Sequence, residues 1–346
     1  MAVQWQLSIG TRVGDVVVGK DAERVYVAAD NCVTVIAGGD IAARIPVGPD
    51  TKRLILSADD AFLYVVGYDG SVRAISTADH AVTTIAGSPS TAEVVSSDGR
   101  RLYTAHPAAS LESTYSQISA TAADGTSLGT VAIKNYATGM DVSPDGGRLY
   151  VATSTVSVHT QFFPGWVTVI DTAQHTVVDS IAVPVSPDTV TVSPDGSRVL
   201  VTHYDTNSIS AIDVARRSVT SVNLPDAPLR AVVTPDHAGV YAISMQSLVA
   251  VDFPTEIAEV VPAGRMPRRM QFSSDGKRAC VTDLASSRVV VLDTISNSVI
   301  TAFELDGHPE ALALSGNGEL LYVADYWAGT LTAISIASVL RDAEAA

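Results

Sequence analysis

Cysteine is nearly absent: 346 residues contain only Cys32 and Cys280, and no CxxC pair. Two distant thiols exclude a disulfide framework and a cysteine-based zinc site, so both are read as reduced core residues. Basic residues are also scarce, 22 Lys and Arg against 37 Asp and Glu, for a formal net charge of -15. Phosphate binding needs a basic face, so no nucleic-acid partner is expected. No stretch of 18 consecutive apolar residues occurs, which argues against a spanning helix and a membrane partner. The opening MAVQWQLSIG has no basic segment leading into a long apolar run, so a cytoplasmic setting is expected for the chain as given. GxSxG, phosphate-loop and HExxH motifs are missing as well, and no cofactor or metal is expected.

What is present is apolar and repetitive. Apolar residues make up 47% of the chain, enough for a large core. Eight related stretches recur: GKDAERVYV, SADDAFLYV, SSDGRRLYT, SPDGGRLYV, SPDGSRVLV, TPDHAGVYA, SSDGKRACV and SGNGELLYV. Their third residues, Asp21, Asp59, Asp98, Asp145, Asp195, Asp236, Asp275 and Asn317, are spaced by 38, 39, 47, 50, 41, 39 and 42. A period near 40 built from short Val-, Ile-, Thr- and Tyr-rich runs indicates propeller blades.

Each copy divides into four strands. In copy four, DVS enters the SPDG turn, and RLYVAT, VTVIDT and VVDSIAV follow. Asp and Gly suit the tight turn, so the acidic repeats resemble calcium loops only superficially. The eighth copy stops after its third strand, while VQWQLSI near the N-terminus alternates like a strand that belongs to no other copy. The chain is therefore read as one all-β domain over 1–346, an eight-bladed propeller. Residues 3–10 complete the last blade and 337–346 form a short helix or tail. Such closure leaves no open sheet edge.

LYVAT, LVTHYDTNSISAID and LYVADYWAGTLTAIS resemble the YVTN family of β-propeller repeats over nearly the whole chain. The resemblance implies similarity to lactonase-like and cytochrome cd1-like propellers. Members are commonly seven-bladed, from which eight copies depart, and they range from binding proteins to enzymes, so the resemblance does not choose a function.

Three groups of residues are candidates for a site. The first is VHTQFFPGW (158–166), which concentrates two of six Phe and one of three Trp beside Pro164 and Gly165. From anchor Asp to the end of the third strand takes 15 to 17 residues in six copies, but 20 in copy three and 25 in copy four. Both insertions are second-to-third-strand loops, HPAASLESTY (106–115) and VHTQFFPGW, on one face of the disc. Phe162, Phe163 and Trp166 are expected to form a lid or contact patch, or else to fill a satellite core.

The second group lies at the entry to the innermost strands, where Arg53, Arg230 and Arg269 stand at equivalent positions, with Lys52 and Arg268 adjacent. A ring of guanidiniums on an acidic protein favours a carboxylate or phosphate ligand. The alternative is an ion-pair network with Asp15, Glu93, Asp188 or Glu310. The third group, His106, His203, Asp283 and Asp325, closes the second strands of four blades, with Tyr68, Tyr204, Tyr326 and Trp327 in loops on the same face. Their spread over non-adjacent blades disfavours a single metal site.

Two functions follow. One is a monomeric, non-catalytic module that recognises a protein partner or a small anionic ligand on the loop-bearing face. The other is a hydrolase or lyase acting on a small anionic or lactone-like substrate at the channel mouth, with the arginines as oxyanion clamps and His106 or His203 as proton carrier.

Overall fold

The computed structural model describes residues 3–20, 24–48, 51–86, 90–107, 115–155, 164–237 and 239–344. Among these residues the strands form eight four-stranded antiparallel sheets. Seven run in simple chain order; blade 4, for example, consists of Tyr136–Val142, Arg148–Ser154, Gly165–Asp171 and Thr176–Val183. The eighth takes three strands from residues 309–335 and its outermost strand from Val3–Ser8, which pairs with Thr330–Ser335. First strands of blades 1 and 8 touch, so the ring closes. Residues 336–344, left as a helix or tail by the sequence, form a helix whose Ile336 and Val339 pack on blades 7 and 8.

Blades 2 to 8 are fastened at their turns. In blade 4 the Ser143 hydroxyl donates to Asp145 Oδ1 (2.5 Å), which also accepts the Gly147 N–H (2.9 Å), while the Arg148 N–H donates to Ser143 Oγ (2.8 Å). Gly146 supplies the left-handed conformation, φ 71°. Blades 2, 3, 5 and 7 repeat these bonds, and blade 8 repeats them with Asn317. These contacts pull the carboxyls below their usual range, Asp195 to about 2 through Ser193 first. His80, His175 and His237 lie in the turn regions and adopt positive φ.

The core lies between blades. Tyr26, Val33 and Val35 of blade 1 pack on Leu54, Leu63 and Ile75 of blade 2, and Ile9, Val16 and Val27 pack on Ala311, Tyr322 and Leu331 across the closure. The tyrosine of the repeat ties adjacent blades: Tyr64 Oη donates to Gly99 O (2.7 Å). Cys280 is buried, its thiol pushed up to about 12 by desolvation, and Cys32 is half-buried; both are free thiols.

Candidate functional site

The entry to the innermost strand is irregular. Six blades carry a register shift there, between Thr51 and Arg53, Ala137 and Gly139, Pro187 and Val190, Pro228 and Arg230, Pro267 and Met270, and Pro309 and Ala311. A bulge re-aims the side chain it carries and removes an amide from the ladder. In blade 7 the freed N–H of Arg269 donates to Thr282 Oγ1 (3.1 Å), and in blade 5 the N–H of Thr189 donates to Thr202 Oγ1 (3.1 Å). Gly139 holds the equivalent place in blade 4 because a Cβ would stand 2.4 Å from Asp188 O.

Arg53, Arg230 and Arg269 sit at these entries, and the structure brings them to one place. Arg230 has its pKa pulled down to about 10, first by desolvation and then by the charges of Arg269 and Arg53, with Arg268 adding to them and Asp15 opposing. Blades 2 and 6 lie four steps apart on an eight-bladed ring, so Arg53 and Arg230 feel each other across the channel axis. Arg230 keeps solvent exposure while desolvation dominates its shift.

The ion-pair network expected as the alternative does not form. Among the described residues none of Arg53, Arg230, Arg268 and Arg269 makes a salt bridge, and the buried Nε of Arg268 has no hydrogen-bond partner. Glu93 instead pairs with Lys52 (3.4 Å). Asp15 spends its oxygens on the amides of Val16 (3.1 Å) and Leu54 (2.9 Å). Asp141, deeper in blade 4, likewise accepts the amides of Val142 (2.9 Å) and Val192 (2.8 Å); burial raises its pKa against those bonds and the nearby charge of Arg53. Asp188 is raised by burial and by the charge of Asp205.

The residues closing the second strands have internal partners. His203 is fully buried: Nδ1 lies 3.0 Å from Val185 O and Nε2 lies 2.9 Å from Ser210 Oγ. A carbonyl can only accept, so the proton sits on Nδ1 and Nε2 accepts from Ser210. Desolvation lowers its pKa to about 4, and its two ring nitrogens are both taken by these internal partners. Asp283 accepts the Arg265 amide (3.0 Å) and Arg288 Nε (3.0 Å), and Asp325 accepts the amides of Trp327 (3.0 Å) and Ala328 (2.7 Å). Gly264 and Gly307 are packed so closely on Asp283 and Asp325 that a Cβ would collide with the carboxylates. His106, half-buried, has Nε2 at 2.9 Å from Thr104 Oγ1. No group of three or more possible metal ligands gathers among the described residues.

The aromatic candidates divide. Tyr68 and Trp327 are each 72% exposed and Tyr204 43%, all at second-to-third-strand connections on the arginine-bearing face. Tyr326 stands edge-on to Trp327 (centroids 5.0 Å apart), as does His308 (6.3 Å). Trp166, expected in the loop, belongs to the third strand of blade 4, paired with Thr153 and half-buried. Its neighbour Gly165 has no room for a Cβ, with Pro187 Cδ at 2.5 Å. Phe162, Phe163 and most of the loop 106–115 lie outside the described residues.

No family model matches the chain, and no curated protein matches it. Among solved structures, the chain is similar to the hydrazine synthase of Kuenenia stuttgartiensis. They share 16% identity over 94% of this chain and 96% of that one, with a TM-score of 0.59. A likeness at that identity is one of fold. No helix of the described residues is long and apolar enough to cross a membrane.

Sequence reasoning missed Asp141 and Thr282. Asp141 sits two residues after Gly139, the ring position in its blade, and Thr282 precedes Asp283 by one. Their roles depend on contacts between blades and on a bulge, and no local motif marks either.

Proposed function

We propose that the protein is a non-catalytic binding module whose rigid ring holds a small anionic ligand at the channel mouth. The observation that carries this reading is the convergence of four arginines with no carboxylate pairing them. A guanidinium offers up to five N–H donors in a fixed fork that suits an oxyanion, and the buried Nε of Arg268 lacks a partner, a cost that such a ligand would relieve. The long-range field of a protein with net charge -15 opposes anions, so attraction has to come from short-range forks at this one place.

The test is thermal unfolding in the presence of small anions, for the native protein and for Arg230→Ala combined with Arg269→Ala. Anions are expected to raise the Tm of the native protein and to leave the variant unmoved. Equal shifts in both proteins, or none in either, would overturn the reading.

A protein partner on the same face is a second reading, supported by the exposed rings of Tyr68, Tyr204 and Trp327. Cross-linking in the source extract, native against Tyr204→Ala combined with Trp327→Ala, tests it; a partner captured equally by both would sink it. The enzymatic alternative would rest on His106, since His203 is enclosed.

A further inference from the structure

The charge count at the mouth says more about the ligand. Four guanidiniums, Arg53, Arg230, Arg268 and Arg269, face two carboxylates, Asp15 and Asp141, whose oxygens are already occupied by backbone amides. Among the described residues, Asp188 and Glu310 make no ion pair with the arginines either.

The arrangement of those charges is as informative as their number. Arg230, Arg268 and Arg269 come from neighbouring blades 6 and 7, whereas Arg53 comes from blade 2, opposite blade 6. A group on the axis is therefore approached from two sides. A single carboxylate has one pair of oxygens on one edge and can satisfy one fork at a time. An anion with two charges, spread round a tetrahedral centre or placed at two ends, presents acceptors to both sides.

Resting on the anion-binding reading above, we infer that the preferred ligand is a dianion held on the channel axis, bridged between Arg53 on one side and Arg230 with Arg269 on the other. The buried, unpartnered Nε of Arg268 is a further donor beside the blade-7 end of this bridge. The exposed edge of Trp327 is not required for it.

Calorimetric titration at constant ionic strength tests the inference, with sulfate, malonate and acetate as probes on the native protein and on Arg53→Gln. Arg53 is exposed, so the variant is expected to fold, which circular dichroism checks. The expected result is that sulfate or malonate binds the native protein at least about tenfold more tightly than acetate. Whichever dianion leads tells whether the two charges sit on one centre or two. In Arg53→Gln that advantage should disappear, sulfate and malonate losing more affinity than acetate. Equal affinity for all three probes would leave the anion site standing and overturn the preference for a dianion. An undiminished advantage in Arg53→Gln would overturn the bridge, and no binding of any probe would remove the anion site itself.

Discussion

Asp15 of blade 1 accepts the amide of Leu54 in blade 2 at 2.9 Å, one residue beyond Arg53. The carboxylate that might have neutralised an arginine at the mouth is thus used to bind two innermost strands together. Asp141 does the same between blades 4 and 5 through Val192 (2.8 Å). Asp15→Ala should leave the Leu54 amide without its acceptor and lower stability by about 1–3 kcal/mol in urea unfolding. A change within experimental error would mean that water replaces the carboxylate.

Removing the Thr282 hydroxyl probes the bulge that aims Arg269. Thr282 is fully buried, and Thr282→Val keeps its shape while withdrawing the acceptor from the Arg269 amide (3.1 Å). The expected loss is about 1–3 kcal/mol, together with weaker anion-dependent stabilisation. An intact anion response would show that the bulge holds without Thr282.

His203 should make the fold acid-sensitive. Its pKa falls from 6.5 to about 4 on folding, so the unfolded chain binds the proton more readily. The stabilisation is complete above about pH 6.5 and is lost as pH falls toward 4, with a ceiling of about 3 kcal/mol. Unfolding measured at pH 7.5, 6 and 4.5 should show that decline in the native protein and a flatter profile in His203→Gln. Parallel profiles would assign the decline to other groups.

The turn carboxylates act lower on the scale. Asp195 is held at about 2 by the Ser193 hydroxyl and the Ser197 amide and hydroxyl, so its contribution is present above the ordinary carboxyl value and lost as pH falls through about 4 to 2. In Ser193→Ala, acid unfolding followed by circular dichroism should move to higher pH. An unmoved midpoint would show that the backbone amide alone fixes the turn.

The strand Val3–Ser8 closes the ring. Without it the strand Thr330–Ser335 becomes an open edge, with its ladder groups free to pair elsewhere. A chain starting at residue 9 is expected to associate in size-exclusion chromatography, and a strand peptide covering 3–8 should restore the native elution. A monomeric truncated chain would contradict this.

The blade repeat, the number of blades and the terminal closure were legible in the sequence. Turn chemistry is local: a Ser or Thr two residues before an Asp or Asn, followed by a Gly, specifies its own hydrogen bonds wherever the chain places it. Eight turn-centred copies at a period near 40, five of them with that pattern, leave a ring as the way to cover every sheet face. The unpaired strand at 3–10 then had one place to go.

The convergence of Arg53, Arg230 and Arg269 could be suspected from repeat position, yet what they meet could not. Whether Asp15 pairs an arginine or a backbone amide depends on how far one innermost strand slides past the next, a distance that no single blade encodes. His203, Asp283 and Asp325 read as chemistry in the sequence, and the fold gives each of them internal hydrogen-bond partners. Val185 and Arg265, which meet His203 and Asp283, come from the connections between blades, whereas Asp325 is held by the amides of Trp327 and Ala328 in its own blade.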